Sequence, residues 1–336
     1  MNILITGVDG FLGRHIARGL LADGHRIFGI SNGTAPNLGI GFMPVDIADR
    51  AAVMDAAKRA EADLCIHLAA LAHADVGTDR VPLVRQVNVG GSMHLLDALE
   101  AAGTQELIYF SSVKVLGETT PPEGIDEDSP PVPSGVYAES KLEVEREISK
   151  RTAAGTLRGV IVRPAAVVGR DDTKGNYAKM ARLIRRGFFP VLGGGTARRS
   201  LVFVDTLVHR IRTMVTEGLR PGECYVFSDG DWSIREIVDA MRTASGFAYC
   251  PTVPLGGWMT PLRLVDVLSH RLHPGRRPVA DLLRRLTDSF VVHPHRWAEA
   301  YGEMPSVNLT QAMTQVFGER ASLSQHRPCC RHSSHP

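Results

Sequence analysis

Apolar and polar positions alternate along the first half of the chain in a strand–helix–strand rhythm. Ile3, Leu4 and Ile5 form a short apolar run that ends in glycines, which predicts a buried parallel strand. Apolar residues then recur at helical spacing over Phe11–Ala22, and a second strand is predicted over residues 26–30. Together these segments predict one strand–helix–strand unit of about 30 residues.

The same rhythm continues as far as residue 165. Further strands are predicted over residues 64–68, 106–110 and 158–162, and further helices over residues 51–62, 84–101 and 137–151. Helices that alternate with buried strands are typical of a doubly wound parallel sheet, and right-handed crossovers place such helices on both faces. The predicted fold class is therefore α/β.

The rhythm breaks after residue 165, where Gly, Lys and Arg become frequent. One helix is predicted over residues 177–186 and strands over 200–204 and 225–228, after which the pattern is mainly helical. We therefore predict a smaller, mainly helical C-terminal lobe beside the main sheet. The predicted division is residues 1–165 with about 200–228 for the sheet domain, about 166–199 and 229–318 for the smaller lobe, and 319–336 for a disordered tail.

The composition is that of an ordinary folded protein and excludes several classes of function. Among 336 residues 44% are hydrophobic, and 38 basic residues against 36 acidic ones give a formal charge of +2, so no nucleic-acid partner is expected. No apolar run reaches the roughly 18 residues of a membrane span, so no membrane partner is expected. No basic segment precedes the first strand, so no secretion signal is expected either.

The five cysteines form neither a metal-site spacing nor an even set for disulfides. Such a set indicates reduced thiols, and hence a cytoplasmic protein without a metal site. Cys329 and Cys330 lie among His326, His332 and His335 at the end of the chain. An unstructured end is the preferred interpretation of that tail, ahead of weak metal binding.

Three glycines separate the first predicted strand from the first predicted helix. Gly7 allows a tight turn, Gly10 lets the backbone approach a pyrophosphate, and Gly13 lets the helix pack closely on the sheet. Phe11 and Leu12 open the helix, whose first N–H groups and positive dipole end face the same ligand. This context favours a dinucleotide-binding Rossmann fold over glycines that merely turn the chain.

The Gly-x-x-Gly-x-x-Gly spacing and later motifs resemble the short-chain dehydrogenases/reductases. Asp46 and Ile47 resemble the pair that contacts adenine in that family. Leu68, Ala69 and Ala70 resemble the turn on its ribose side. The resemblance implies that these five residues contact a nicotinamide dinucleotide.

Two further positions bear on which dinucleotide is bound. Asn88 begins the run Asn-Val-Gly-Gly-Ser, which resembles the Asn-Val-x-Gly-Thr motif of the extended branch and places Asn88 in the cofactor site. Ser31 ends the second strand, where an Asp would accept the ribose hydroxyls and mark NAD. That Asp is missing, and Ser31 with Arg14 could accommodate a 2′-phosphate, although Arg14 fits a solvated helix surface equally well. The resemblance implies NAD as the cofactor, and NADP stays open.

Tyr137 and Lys141 lie four residues apart, on one face of a predicted helix. A free tyrosine has a pKa of about 10, and a nearby ammonium lowers it, so Lys141 is expected to lower the pKa of Tyr137. Such pairs occur by chance on surface helices, but Ser112 lies two residues beyond the strand predicted over residues 106–110. Strand ends in doubly wound sheets face the ligand crevice. The three residues therefore predict hydride transfer with Tyr137 as the proton-transfer residue.

These residues together resemble the extended short-chain dehydrogenase/reductase family, also called the NAD-dependent epimerase/dehydratase family. Ser112 resembles the catalytic Ser or Thr of that family, with Ser111 as the second choice. Lys141 would also hold the nicotinamide ribose. Arg163 and Pro164 resemble the Arg-Pro turn that closes the cofactor site.

Three further runs resemble the bacterial polysaccharide branch of this family, whose members act on nucleotide sugars. They are Ser-Ser-x-Lys-Val-x-Gly-Glu from Ser111, Lys-Gly-Asn from Lys174, and Arg-Ser-Leu-Val-x-Val-Asp from Arg199. The resemblance implies substrate contacts by Ser111, Lys114, Lys174, Asn176 and Arg199, with arginine suited to grip a diphosphate. The sequence departs from the branch at Val136 and Ala138, which flank Tyr137, and at Leu116, where Tyr is common.

Several reactions share oxidation at the sugar C4 carbinol or its reverse. A 4,6-dehydratase carries an Asp-Glu pair just after the catalytic hydroxyl residue, and Val113 and Lys114 stand there, which disfavours dehydration. A UDP-sugar 4-epimerase with bound NAD is the leading hypothesis, and a 4-keto-6-deoxysugar reductase uses the same residues. A non-catalytic NADP-sensing regulator is disfavoured because Ser112, Tyr137 and Lys141 are all retained. The resemblance also implies a homodimer, formed by the helices that follow Asn88 and Tyr137.

Overall fold

The computed structural model describes residues 1–71, 80–187, 189–246, 252–253 and 287–318. Their strands are β1 (Asn2–Thr6), β2 (Arg26–Ser31), β3 (Gly41–Pro44), β4 (Leu64–His67), β5 (Glu106–Phe110), β6 (Arg158–Pro164), β7 (Ala166–Val168), β8 (Val191–Leu192), β9 (Arg198–Phe203), β10 (Cys224–Phe227), β11 (Gly230–Ser233) and β12 (Thr252–Val253). Their α-helices are α1 (Phe11–Ala22), α2 (Arg50–Ala60), α3 (Val81–Arg85), α4 (Gly91–Ala102), α5 (Val136–Ala153), α6 (Asn176–Arg185), α7 (Val204–Glu217), α8 (Ile234–Ser245), α9 (Arg296–Tyr301) and α10 (Leu309–Phe317). None of the helices in these ranges is both long and apolar enough to cross a membrane.

Seven parallel strands form the main sheet, in the order β10-β6-β5-β4-β1-β2-β3. The chain starts in the middle of the sheet and winds outward in both directions, which is the doubly wound arrangement that the sequence predicts. Because all seven strands run the same way, their carboxyl ends share one edge. That edge is where ligands bind in such sheets.

Both faces of the main sheet are buried, and β1 shows why. Ile3 and Ile5 point into a cluster with α1 and α7, while Leu4 points into a second cluster with α2 and α4. Successive side chains of a strand point to opposite faces, so an unbroken apolar run satisfies two layers of helices at once. The α/β fold class is confirmed.

The helix predicted over residues 84–101 is interrupted in the structure. Its place is taken by α3, a π-helical turn at Gln86–Gly90, and α4. Asn88 is buried inside that turn, and its side chain bonds to groups outside the helix. One wide turn re-aims this side chain, a device that recurs at functional sites and that apolar periodicity does not reveal.

A second, three-stranded sheet of order β11-β9-β7 belongs to the smaller lobe. The strand predicted over residues 200–204 is β9, and it pairs with β7 and β11 rather than with the main sheet. Of residues 200–228, α7 and β10 lie with the main domain, whereas β9 contributes Val202 to the main core and Leu201 and Phe203 to the core of the smaller lobe. The predicted boundary near residue 200 stays a prediction. β7 and β11 were not predicted because they are short and mostly half-buried, so their apolar pattern is weak.

The core of the smaller lobe gathers α6, α8 and α10 around this second sheet. Met180, Ile237 and Met241 are buried there with Met313 and Phe317. The predicted tail at 319–336, with Cys329 and Cys330, lies outside the described residues, as does Cys250. Cys65 and Cys224, which the structure does describe, are free thiols.

Candidate active site

The glycine loop has the geometry that its spacing predicts. Gly7 has a φ of +68° and donates its N–H to the carbonyl of Ile30 at 2.7 Å. A Cβ at Gly13 would lie 2.3 Å from the Gly7 carbonyl oxygen, so α1 can approach β1 only without a side chain there. Helix α1 starts after Gly10 without a side-chain cap, which leaves its first N–H groups available to an anion. The loop therefore fits a dinucleotide pyrophosphate.

A cavity of about 770 Å³ lies at the carboxyl edge of the main sheet, beside this loop. It is of the size expected for a small-molecule or cofactor site. The predicted residues that line it are Gly7, Gly10, Phe11, Leu12, Gly13, Leu68, Ala70, Ser111, Ser112, Tyr137, Lys141, Pro164, Lys174 and Asn176. The structure thus brings the three predicted catalytic residues into one cavity with part of the predicted cofactor and substrate residues.

Ser112, Tyr137 and Lys141 meet at the end of β5. The Ser112 hydroxyl acts on the Tyr137 phenol and favours its ionised form. The Lys141 ammonium, one turn further along α5, donates to the carbonyl of Phe110 at 2.7 Å. A phenol, a second hydroxyl and an ammonium therefore face the same region of the cavity, as the sequence predicts.

The pKa of Tyr137 lies above its ordinary value. Burial raises it to about 12, and the hydrogen bond with Ser112 offsets only part of that rise. Burial lowers the pKa of Lys141 to about 7, although the carboxylate of Glu145 works in the opposite direction. Desolvation of the phenolate outweighs the effect of Ser112, and Lys141 is not among the causes of this shift, so the lowering of the Tyr137 pKa by Lys141 stays a prediction. The protein alone keeps the phenol protonated.

The remaining predicted cofactor residues lie outside the cavity lining. Ser31 is buried at the end of β2 and accepts the N–H of Gly33 at 3.3 Å. Asp46 accepts the N–H of Ala48 at 2.9 Å, so both side chains stabilise turns. Ile47 is buried in the core against α4.

Ala69 and Asn88 support the cavity wall from behind. Ala69 donates its N–H to the hydroxyl of Thr6 at 3.0 Å. Asn88 accepts the N–H of Leu71, a residue that lines the cavity, at 2.8 Å. These contacts place both residues next to the cofactor region without exposing them to it.

Arg163 lies away from the cofactor cavity, and of the predicted Arg-Pro turn only Pro164 lines it. The Arg163 guanidinium donates to both carboxylate oxygens of Glu145, at 3.0 and 2.7 Å, and both side chains are almost fully buried. This internal ion pair joins β6 to α5. Arg163 therefore holds the helix that carries Tyr137 rather than lining the cavity itself.

Two predicted substrate residues also lie outside the lining. Lys114 donates its backbone N–H to the Ser112 hydroxyl at 3.2 Å. Arg199 is half-buried and donates to the carbonyls of Arg198 and Asp288. Arg199 acts electrostatically on Tyr177, which does line the cavity, and partly offsets the burial that raises the pKa of Tyr177 to about 12.

Lys174, on the loop that precedes α6, and Asn176, the first residue of α6, both line the cavity. Asp172 fixes this loop by accepting the N–H groups of Lys174 and Gly175, at 3.1 and 2.8 Å. His15 of α1 contacts the carbonyl of Arg170 at 3.0 Å, which ties the loop to the helix behind the glycines. The loop and the start of α6 thus carry an ammonium and an amide to the side of the cavity that faces the smaller lobe.

Sequence reasoning missed part of the lining. The additional residues are Asp9, Arg14, Leu71, Arg80, Leu83, Val84, Phe110, Ala165, Ala166, Val167, Asp171, Asp172, Thr173, Gly175 and Tyr177. Arg14 was weighed only for a 2′-phosphate, and Tyr177 was within reach as the neighbour of Asn176. Arg80, Leu83 and Val84 come from a turn and helix that no motif marks.

Asp126, Asp128 and His295 form a separate cluster whose ligand atoms lie within 4.8 Å of one another. His295 also faces Glu127, and Arg296 donates to Asp128. Because protein partners already match these carboxylates, we assign no metal to the cluster.

The fold and this cavity define a nicotinamide-dependent enzyme of the short-chain dehydrogenase/reductase type. The model of the NAD dependent epimerase/dehydratase family matches residues 3–226, and the chain belongs to that family. The prediction of the family is confirmed, and so is NAD as its cofactor.

Relatives with named activities differ in substrate. The chain is 28% identical to a UDP-glucose 4-epimerase of Vibrio cholerae, over 94% of each protein. It is 30% identical to a 2-alkyl-3-oxoalkanoate reductase of Stenotrophomonas maltophilia, over 96% of this chain and 100% of the relative. The UDP-glucose 4-epimerase of Thermotoga maritima, solved with UDP-glucose, has a TM-score of 0.78 at 19% identity, over 96% of this chain and 100% of that one. At that identity the structural likeness establishes the fold alone.

Proposed function

We propose that the protein is a nucleotide-sugar 4-epimerase that acts on a UDP-hexose or UDP-N-acetylhexosamine. The observation that carries this proposal is the single cavity that joins the glycine loop, the Ser112–Tyr137–Lys141 group, and the polar residues Lys174 and Asn176. A nucleotide sugar needs a place for the reacting carbinol and fixed groups for its diphosphate. The cavity offers both, and the 4-epimerase relatives agree with this use.

Ser112 and Tyr137 supply the acid–base part of the reaction. The Ser112 hydroxyl would orient the C4 oxygen, and Tyr137 would take the proton of the C4 hydroxyl as that carbon is oxidised. Tyr137 would give the same proton back as C4 is reduced on its opposite face, so epimerisation involves no net redox change. NAD, when bound, supplies the hydride acceptor and a positive ring that favours the phenolate.

Lys141 and Glu145 set the electrostatics of this proton transfer. Burial pulls the pKa of Lys141 down toward neutrality, and the Glu145 carboxylate opposes that shift and favours the charged ammonium. A charged Lys141 one helical turn from Tyr137 favours the phenolate during catalysis. Gly7, Gly10 and Gly13 would hold the pyrophosphate, and Lys141 the nicotinamide ribose.

The substrate diphosphate would lie toward the smaller lobe. Lys174 and Asn176 line that side of the cavity. Tyr177 lines it too, and its phenol lies within the electrostatic influence of the Arg199 guanidinium. An ammonium there can bind a phosphate as a point charge. Lys114 is not among the residues that line the cavity, and its predicted substrate contact stays a prediction.

Ketone reduction is the second candidate, and the reductase relative that spans nearly the whole chain favours it. A 4-keto-6-deoxy nucleotide sugar would use the same three residues in one direction only. Purified protein incubated with UDP-glucose or UDP-N-acetylglucosamine, with no added cofactor, should form the C4 epimer by NMR. Steady NADH or NADPH consumption with a 4-keto sugar, and no epimer, would replace the epimerase with the reductase.

We also propose a cytoplasmic homodimer that pairs through α4 and α5. Some of the charges on these two helices are paired with each other within one chain. Arg151 of α5 donates to Asp97 at 2.8 Å and to Glu100 at 3.3 Å, both on α4. Light scattering during gel filtration should give twice the chain mass, and a monomer at micromolar concentration would refute the pairing.

A further inference from the structure

A continuous set of buried hydrogen bonds connects the glycine loop to the catalytic helix. Its members are Thr6, His67, Ser92, Asn88 and Ser140, each no more than 1% exposed. None of these side chains lines the cavity. They lie on β1, β4, the π-helical turn, α4 and α5, so the set spans the elements that build the site.

The bonds on one side of His67 fix the protonation of its ring. The Thr6 hydroxyl accepts the N–H groups of Leu68 and Ala69, at 3.1 and 3.0 Å, which uses both of its lone pairs. Its own proton must therefore be donated to Nδ1 of His67, 2.6 Å away. Nδ1 is then an acceptor, and Nε2 carries the proton of a neutral ring.

The bonds on the other side agree with this tautomer. Nε2 of His67 lies 2.8 Å from the Ser92 hydroxyl, which in turn donates to the Asn88 carbonyl at 2.5 Å. Ser92 thus has its proton committed and can accept one from Nε2. Burial, helped by the charge of Lys141, lowers the pKa of His67 to about 3, in keeping with a ring that stays neutral.

Asn88 carries the connection to the catalytic helix. Its side-chain oxygen accepts the Leu71 N–H at 2.8 Å, and its side-chain nitrogen donates to the Ser140 hydroxyl at 3.1 Å. Ser140 donates to the carbonyl of Tyr137 at 2.8 Å. Because the set ends at backbone carbonyls, it cannot pass protons to the Tyr137 phenol, and its role is positional.

We propose that His67, as the neutral Nε2–H tautomer, is a positioning residue that fixes the glycine loop, the 68–71 turn and the start of α5 relative to one another. Leu68, Ala70 and Leu71 line the cavity on this turn, and its N–H groups are held from behind by Thr6 and Asn88. Cofactor binding and the placement of Tyr137 therefore depend on one buried ring. The inference rests on the nicotinamide cofactor alone and not on the sugar substrate.

Ser92→Ala removes the link between His67 and Asn88 without substituting any residue that lines the cavity. NAD affinity, measured calorimetrically, should fall on the order of tenfold, because a misplaced turn no longer matches the ligand. Ser92→Thr keeps the hydroxyl and should restore the affinity. Thr104→Val is the matched control, since its buried hydroxyl donates to the Ala62 carbonyl at 2.8 Å at the opposite edge of the sheet.

The control should lose thermal stability comparable to that of Ser92→Ala but bind NAD normally. Normal NAD binding by Ser92→Ala, or an equal loss in Thr104→Val, would overturn the proposal. In ¹⁵N-histidine NMR spectra of the NAD complex, the ring that Ser92→Ala perturbs should be Nε2–H and should not titrate from about pH 5 to about pH 8. An Nδ1–H tautomer, or titration in that range, would also overturn it.

Discussion

Two opposing effects act on the Tyr137 hydroxyl, and their balance decides what the residue can do. Burial raises its pKa to about 12, while the Ser112 hydroxyl stabilises the phenolate in part. A protonated phenol can donate to a ketone, and it can accept a proton only when a further positive charge favours the phenolate. Proton transfer at this residue is therefore coupled to the charge placed in the cavity.

Tyr137→Phe tests this role directly. Turnover should fall by roughly 100-fold or more, because the proton-transfer group is lost while the ring still fills its place. NAD affinity should be unchanged. Tyr301→Phe is the control, since its hydroxyl donates to the Gly218 carbonyl at 2.9 Å and lies outside the cavity lining. Wild-type turnover in Tyr137→Phe would exclude Tyr137 as the proton-transfer residue.

The buried ammonium of Lys141 should make the free energy of unfolding depend on pH. Burial lowers its pKa to about 7, so the charged form is penalised in the folded protein. This penalty is fully present below about pH 7 and fades as the pH rises toward the unfolded pKa, because the folded state releases its proton first. Without cofactor, Lys141→Met should therefore raise the free energy of unfolding most at low pH.

The advantage of Lys141→Met should shrink by roughly 1 kcal/mol per pH unit between about pH 7 and about pH 9. Urea unfolding of wild type and variant at several pH values measures it. Lys150→Met, on the exposed end of the same helix, should show no such trend. A difference between Lys141→Met and wild type that is the same at every pH would contradict the lowered pKa.

Helix α5 is held against the sheet by an ion pair as well as by apolar contacts. Arg163 of β6 and Glu145 of α5 form two hydrogen bonds between almost fully buried groups. Glu145 lies one helical turn beyond Lys141 and favours its charged form. The pair therefore positions the helix and also tunes the ammonium beside Tyr137.

Removal of Arg163 alone should lower the free energy of unfolding far more than removal of both Arg163 and Glu145. Arg163→Met leaves a buried carboxylate unpaired and should lower the free energy of unfolding by roughly 3–5 kcal/mol. The double variant Arg163→Met/Glu145→Met should recover most of that loss in urea unfolding. Arg158→Gln, whose pair with Glu106 is largely exposed, should cost about 1 kcal/mol or less. Equal losses in the single and double variants would show that the pair itself is not what stabilises α5.

The bounds of helices and strands were predicted correctly where the apolar residues kept one repeat along the whole element. Helix α1 and strand β5 have the predicted bounds because their apolar residues repeat cleanly and glycine or polar residues bracket them. The π-helical turn at Gln86–Gly90 was not predictable, since its cause is the set of long-range bonds to Asn88. Strand β9 was predicted, but its pairing with β7 and β11 was not, because pairing partners distant in sequence leave no local pattern.

Local sequence motifs mark the residues that line the site, but they do not mark the buried residues that hold those residues in place. Ser112, Tyr137, Lys141 and the glycines were predictable because each motif places its residues within one turn or strand end. His67 was not, because a buried neutral histidine acts through partners on other elements. Arg163 shows the same limit, since the motif marks its position but not its buried partner.

The side of the cavity toward the smaller lobe should determine substrate binding separately from cofactor binding. Lys174 lines the cavity on the loop fixed by Asp172, while the glycine loop lies on the main domain. Lys174→Gln should therefore weaken UDP binding on the order of tenfold, by loss of one charge-assisted contact, and leave NAD affinity unchanged. Lys179→Gln, exposed on α6 outside the lining, is the matched control. If Lys174→Gln weakened NAD binding and spared UDP, the diphosphate assignment would be reversed, and Lys174 would belong to the cofactor.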